Sequence, residues 1–168
     1  MKYLTIVLLA LGLLGCIEEG GTGVNWTRIE KVSPERSFRL EVEVNRSRLR
    51  IGEAIEISAR SERSGRLWVV TVDADDNVAL LFPNDRHRSN AIPAGSTLRL
   101  PPSDASWELA ADGPAGPALL AVIVTTGDAD LRDLIGHAPG GERVTKGLRV
   151  IDEAPWAIVR RIIRVDPK

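Results

Sequence analysis

The sequence predicts an all-β fold, an antiparallel β-sandwich of about seven to eight strands with one short helix. Three observations predict it. Apolar residues alternate with polar ones over several short runs, turn signals recur about every eight to twelve residues, and one long run is apolar at every position. No repeat period that would build a solenoid is present.

The elements follow in order from residue 37. In "FRLEVEVN", Phe38, Leu40, Val42 and Val44 share one face while Arg39, Glu41 and Glu43 share the other, the pattern of a half-buried strand. "AIEISAR" repeats it with Ile55, Ile57 and Ala59 inward. Arg63-Ser64-Gly65-Arg66 reads as a turn into "LWVVTVD", a nearly continuous apolar strand. Ala74-Asp75-Asp76-Asn77 is the next turn, and Asn77 is of the residue type that tolerates the left-handed conformation next best after glycine. "VALLFP" follows, and Pro83 ends it because proline cannot donate to a ladder. "STLRL" and "SWELA" are shorter strands separated by Pro101-Pro102. "PALLAVIVTT" is apolar on both faces and is expected at the centre of its sheet. "GDADLRDLIGH" reads as the helix, with Asp128 as N-cap, Leu131, Leu134 and Ile135 as its apolar stripe, and Gly136 at the C-terminus. The last segment, "WAIVRRIIRVD", fits both periods, and its β-branched content favours a strand.

Ahead of this domain the chain is different in kind. Met1-Lys2 precedes an apolar run from Tyr3 to Leu14, about a dozen residues where a membrane span needs roughly 20. It has the length of a signal h-region. Leu13-Leu14-Gly15 then lead into Cys16, the one cysteine, and Glu18-Glu19-Gly20-Gly21 follow. This arrangement resembles the lipobox of bacterial lipoproteins. The resemblance implies cleavage before Cys16, acylation of Cys16, and an envelope protein lipid-anchored in a membrane. With Ile17 rather than aspartate at the next position, it implies the outer membrane, on its periplasmic face. The expected division is a signal over 1–15, a lipidated cysteine and flexible tether over 16–36, and the β-sandwich over 37–168. A tether of roughly 20 residues reaches about 65–70 Å at full extension, with Trp26 and Ile29 as its exceptions, able to dock on the domain or the membrane interface.

Charge is balanced, with Lys+Arg 22 against Asp+Glu 23, which gives no steering toward nucleic acid. Once Cys16 carries lipid, no thiol remains for a disulfide or a nucleophile.

Four stretches of the domain form an ordered set: "RLRIGEAIEI", "GRLWVVTVDADDNVALLFPN", "SNAIPAGSTLRLP" and "ELAADGPAGPALLAVIV". Their landmarks are Gly52-Glu53, Trp68, Leu81-Phe82-Pro83-Asn84, Ala94-Gly95 and Pro114-Ala115-Gly116. Over roughly residues 38 to 126 they resemble the domain of unknown function 4384, a bacterial all-β module. The resemblance implies a non-catalytic accessory module, of a kind found in envelope lipoproteins and appended to kinases and caspase-like peptidases, with no ligand attached to it.

Candidate chemistry is sparse. Asp73, Asp75, Asp76 and Asn77 invite a calcium reading, but the sixth and twelfth loop positions are Val78 and Asn84 where glycine and glutamate are required. A hairpin turn explains the acids, and no metal or other cofactor is expected. "NDRHRSN" sets His87 between Arg86 and Arg88, so Asn84, Arg86, His87, Arg88 and Asn90 are candidate binding residues for an anion or carboxylate. Trp26 and Trp156 lie beside polar or proline-containing segments and are candidates for exposed contact, whereas Trp68 and Trp107 are expected in the core. His137 suits a helix C-terminus. Arg46, Arg48 and Arg50 alternate along one strand edge, able to steer toward phosphate headgroups or lipopolysaccharide, or to block edge-to-edge pairing by their charge, which is the reading favoured. No G-x-S-x-G, H-E-x-x-H or phosphate-cradling loop occurs. No catalytic residue is therefore nominated. The expected function is a membrane-anchored, non-catalytic module that binds an envelope protein, with periplasmic glycan or small-ligand binding as the alternative.

Overall fold

A computed structural model describes residues 23–127, 131 and 154–168. Among them are one helix, α1 (Val24–Lys31), and eleven strands. In order these are β1 (Leu40–Val44), β2 (Arg48–Arg50), β3 (Ala54–Ile55), β4 (Ile57–Ser61), β5 (Gly65–Val72), β6 (Val78–Phe82), β7 (Ala91–Ile92), β8 (Thr97–Leu100), β9 (Leu109–Ala110), β10 (Gly116–Thr125) and β11 (Trp156–Asp166). Eight of them hold three residues or more; β3, β7 and β9 are two-residue pieces that alternation alone does not register. The fold is all-β. The helix expected over 127–137, and His137 with it, lies outside the described residues except for Gly127 and Leu131, the latter buried. No described helix is long and apolar enough to cross a membrane.

The larger sheet runs β2-β11-β10-β5-β6, with β7 also paired to β5. The smaller runs β1-β4-β8, and β3 pairs with β9. All pairs are antiparallel but one: β2 lies parallel to β11, Leu49 opposite Val165. That corrects the purely antiparallel expectation, and the crossover from β2 through the rest of the domain supplies the length a parallel pair needs.

The two sheets face each other across one core. Val42, Ile57, Ala59 and Leu100 of the smaller sheet pack against Leu67, Val69, Phe82, Leu120, Val122, Val124 and Ile163 of the larger. Trp68, Val70, Leu119, Ala121 and Ile123 point the other way, into a second cluster with Trp26, Ile29 and Trp156. The larger sheet is thus covered on both faces, which is why "PALLAVIVTT" carries no polar alternation. The run occupies β10, the central strand, between β11 and β5.

The cover on the second face is α1, and it revises the tether. Trp26 and Ile29, three residues apart on one side of a helix, are buried against the sheet. Residues 24 to 31 are therefore a docked helix and not free linker. Gly23 stands at the N-cap and offers no side chain to cap the helix; the cap comes from Asp76, some fifty residues on, whose carboxylate accepts the N–H of Asn25 at 3.0 Å and of Trp26 at 2.8 Å. At the other end Arg160 of β11 donates to the carbonyls of Ile29 and Val32.

Candidate functional site

The loop after β6 holds most of the polar candidates, and the structure uses them internally. Asn84 closes a tight turn: its Oδ1 accepts the N–H of Arg86 at 3.0 Å and of His87 at 2.9 Å, while its Nδ2 donates to the Leu81 carbonyl at 3.0 Å. The His87 ring stands edge-on between Phe82, at 5.4 Å, and Trp107, at 6.4 Å between centroids. Asn90 bonds to both polar backbone groups of Leu67, by Nδ2 to its carbonyl at 3.1 Å and by carbonyl to its N–H at 2.7 Å. Arg86 and Arg88 alone of this set are exposed. The loop residues come together as a strand terminator rather than as a recognition surface.

The tryptophan expectation is overturned. Trp26 and Trp156 are both 1% exposed, because the polar neighbours that marked them as surface residues belong to segments lying over the larger sheet. Trp68 is in the core as expected, its Nε1 donating to Thr125 Oγ1 at 3.1 Å. Trp107 precedes β9 instead of lying in a strand, and packs half-buried on the core.

The three hairpin acids are spoken for in part. Asp73 Oδ1 accepts the N–H groups of Asp75 and Asn77, both at 2.9 Å, and its Oδ2 accepts Asn77 Nδ2 at 3.0 Å. The left-handed residue is Asp76, at φ +66°, not Asn77. This conformation turns Asp76 toward α1, and the capping bonds stabilise it. The Gly52-Glu53 landmark has a similar local cause. Gly52, at φ +94°, donates to the Ala111 carbonyl at 2.7 Å, and Glu53 accepts the Arg50 N–H through Oε2 at 2.8 Å.

What remains is the strand edges. The two facing sheets end in β1 and β8 and in β2 and β6, and three of these four edge strands are protected. On β1 the hydrogen bonds to β4 start from Arg39 and Asn45, so Leu40, Val42 and Val44 turn their backbone groups outward. Arg161 Nη2 covers the Val42 carbonyl at 2.8 Å. On β2, Glu53 takes the Arg50 N–H through its side chain, and its own N–H bonds the Arg50 carbonyl at 2.9 Å. Arg48 there pairs with Asp166 at 2.5 Å, which holds the Asp166 carboxyl below the usual carboxylate range. The arginine row sits on an edge strand, as its charge implied. On β8 the outward residues are Thr97 and Arg99 of a four-residue strand, polar and short.

The fourth edge, β6, is "VALLF", with no charge and no proline inside it. The bond from Asp73 N–H to the Asn77 carbonyl at 3.0 Å sets the alternation along the β5–β6 ladder. Val78 and Leu80 consequently point their N–H and C=O groups away from β5. Among the described residues nothing bonds to them. A bulge between Val69 and Val70 leaves Leu81 as the extra residue, and Asn84 covers the Leu81 carbonyl. The open stretch therefore runs from Val78 to Leu80 and stops. Asn84 was legible as a strand-end residue; the free edge was not, because it depends on which strand fails to find a neighbour.

Residues 48–128 match the family model described as a domain of unknown function (DUF4384). The match starts at β2 and ends just after β10, so it begins later than residue 38 and leaves out α1, β1 and β11. A search of curated proteins and a search of solved structures return no match.

Proposed function

From a chain that carries a DUF4384-type domain over residues 48–128, we propose a lipid-anchored envelope module that binds a partner protein by strand addition along β6. The observation that carries the reading is the contrast among these four edges: β1, β2 and β8 are covered by side chains or carry charge on their outward residues, whereas the outward groups of Val78 and Leu80 on β6 are neither covered nor charged. An uncovered apolar edge strand is an aggregation hazard that folded proteins otherwise suppress, so its retention favours use. The partner strand takes the N–H and C=O groups of Val78 and Leu80, with its side chains alternating between the two faces of the sheet. The bulge and Asn84 set where it stops.

The anchor is Cys16. Six residues separate it from Gly23, and the seven steps between them reach at most about 25 Å. With α1 docked, the domain is held close to the bilayer, and the β5–β6 turn that caps the helix is on the tethered side. A partner on β6 is thus a membrane-proximal one. The glycan reading loses its support, since Trp26 and Trp156 are buried and Asn84, His87 and Asn90 are engaged within the fold.

The test is a photo-crosslinking residue in place of Ala79, the exposed residue between Val78 and Leu80, in the full-length protein in living cells. One envelope protein is expected in the adduct, and Val78→Pro abolishes it, because the Val78 N–H is not part of the β5 ladder. Adducts that are absent, or that survive Val78→Pro, overturn the strand-addition reading. Incorporation of an alkyne fatty acid, lost in Cys16→Ala, reports on the anchor separately.

A further inference from the structure

A cavity of about 110 Å³ opens between the larger sheet and the β3–β9 ladder, at the end of the sandwich that holds the β5–β6 turn. Its floor is the inner face of the sheet, including Leu120 and Ile163, and Ile55 and Leu109 wall it from the other side. The loop over 110–114 closes one flank. Among the described lining residues two are charged, Asp73 and Asp112, and both are acids.

We infer that this cavity is a binding site for a small hydrophobic amine, with an alkyl or aryl group of about four to six carbons inside and the ammonium on Asp73 and Asp112. Three features carry it. First, the lining is aliphatic apart from Thr71 and the two acids, and a void of this kind destabilises a core in proportion to its size. Apolar cavities of about 150 Å³ stay dry and take up benzene-sized guests. Second, the polar groups are single-signed. Among the described residues no lysine, arginine or histidine lines the cavity, so against this lining a carboxylate or phosphate guest meets repulsion and an ammonium meets attraction. Third, the acids differ in a useful way. Asp73 is locked by the bonds from Asp75 and Asn77 described above, which fix its orientation before any ligand arrives. Asp112 is exposed, with no partner among the described residues, and is free to close on a cation.

Occupancy by a free amine requires neither the lipid anchor nor strand addition on β6, so it stands or falls apart from the proposed function. The full chain, held in nanodiscs of zwitterionic lipid, is titrated with n-pentylammonium, n-pentanol and n-pentanoate while the methyl NMR signals of Leu109, Leu120 and Ile163 are followed. Saturable shifts are expected with pentylammonium, with pentanoate weaker by about tenfold or more. Asp112→Asn brings pentylammonium down toward pentanol. Ala118→Leu, which fills the floor of the cavity, removes binding of all three, and Ala118→Val does so in part if the larger side chain prevents folding. No saturable shift with any probe overturns the proposal. So does equal binding of pentylammonium and pentanoate, or binding unaffected by filling the cavity at Ala118.

Discussion

Asp76 ties three facts of this fold to one side chain. It sits left-handed in the β5–β6 turn, its carboxylate receives two N–H groups of the first turn of α1, and its carbonyl accepts Asn25 Nδ2 at 2.7 Å. Gly23 is the complement: a Cβ there would lie 2.0 Å from Asp76 Cγ, so the helix start approaches the turn only without a side chain. Asp76→Ala should cost about 1–2 kcal/mol, the usual range for a lost helix cap. Gly23→Ala should cost a comparable amount by displacing the same carboxylate. The double variant should cost much less than the sum, since both remove one interaction. Chemical denaturation of the four proteins measures this, and additive losses would show that the two residues act separately.

At the scale of elements, β11 explains its own ambiguous sequence. Ala157, Val159, Ile163 and Val165 alternate toward the facing sheet as a strand requires, and Arg160-Arg161 interrupt the apolar run because each serves a different neighbour. Arg160 reaches across the second face to the C-terminal carbonyls of α1, and Arg161 reaches the β1 edge. Burial pulls the Arg160 guanidinium below its ordinary pKa, opposed by Glu30, yet arginine stays charged in proteins. A charged donor suits helix C-terminal carbonyls both as hydrogen-bond partner and against the helix dipole. Arg160→Met keeps the aliphatic stem and removes the bonds. A loss of about 1–3 kcal/mol is expected, together with a red shift of tryptophan emission as Trp26 becomes wet. Unchanged emission and stability would mean that α1 docks through Trp26 and Ile29 alone.

At the scale of the molecule, the docked helix changes how the domain is held. A linker free to residue 36 would let the domain range widely from Cys16; a helix packed from Val24 to Lys31 leaves six residues between Cys16 and Gly23. On the anchored reading, a spin label on Asp75 should report a distance to the bilayer surface within about 25 Å. The combined variant Asp76→Ala, Arg160→Met should lengthen and broaden that distance. An Asp75 label that ranges equally far in both proteins would show that helix docking does not govern reach.

The all-β class, the faces of β1 and β4, the central place of β10, the end of β6 at Pro83 and the family resemblance over the middle of the chain are all legible in the residue order. These depend on period, turn chemistry and apolar content, which are local and survive without knowledge of neighbours. The rest depends on contacts between residues distant in the chain. Trp26 and Trp156 look exposed beside polar residues, and are buried because a helix and a strand start cover the second face of one sheet. Asn84, His87 and Asn90 look like a recognition loop, and instead terminate and pack a strand. The parallel pairing of β2, the open edge of β6 and the cavity beside Asp73 and Asp112 all arise from residues far apart in sequence meeting, or failing to meet, in space. Adjacency along the chain carries no record of that, because side-chain period specifies which face a residue takes and not what lies opposite it.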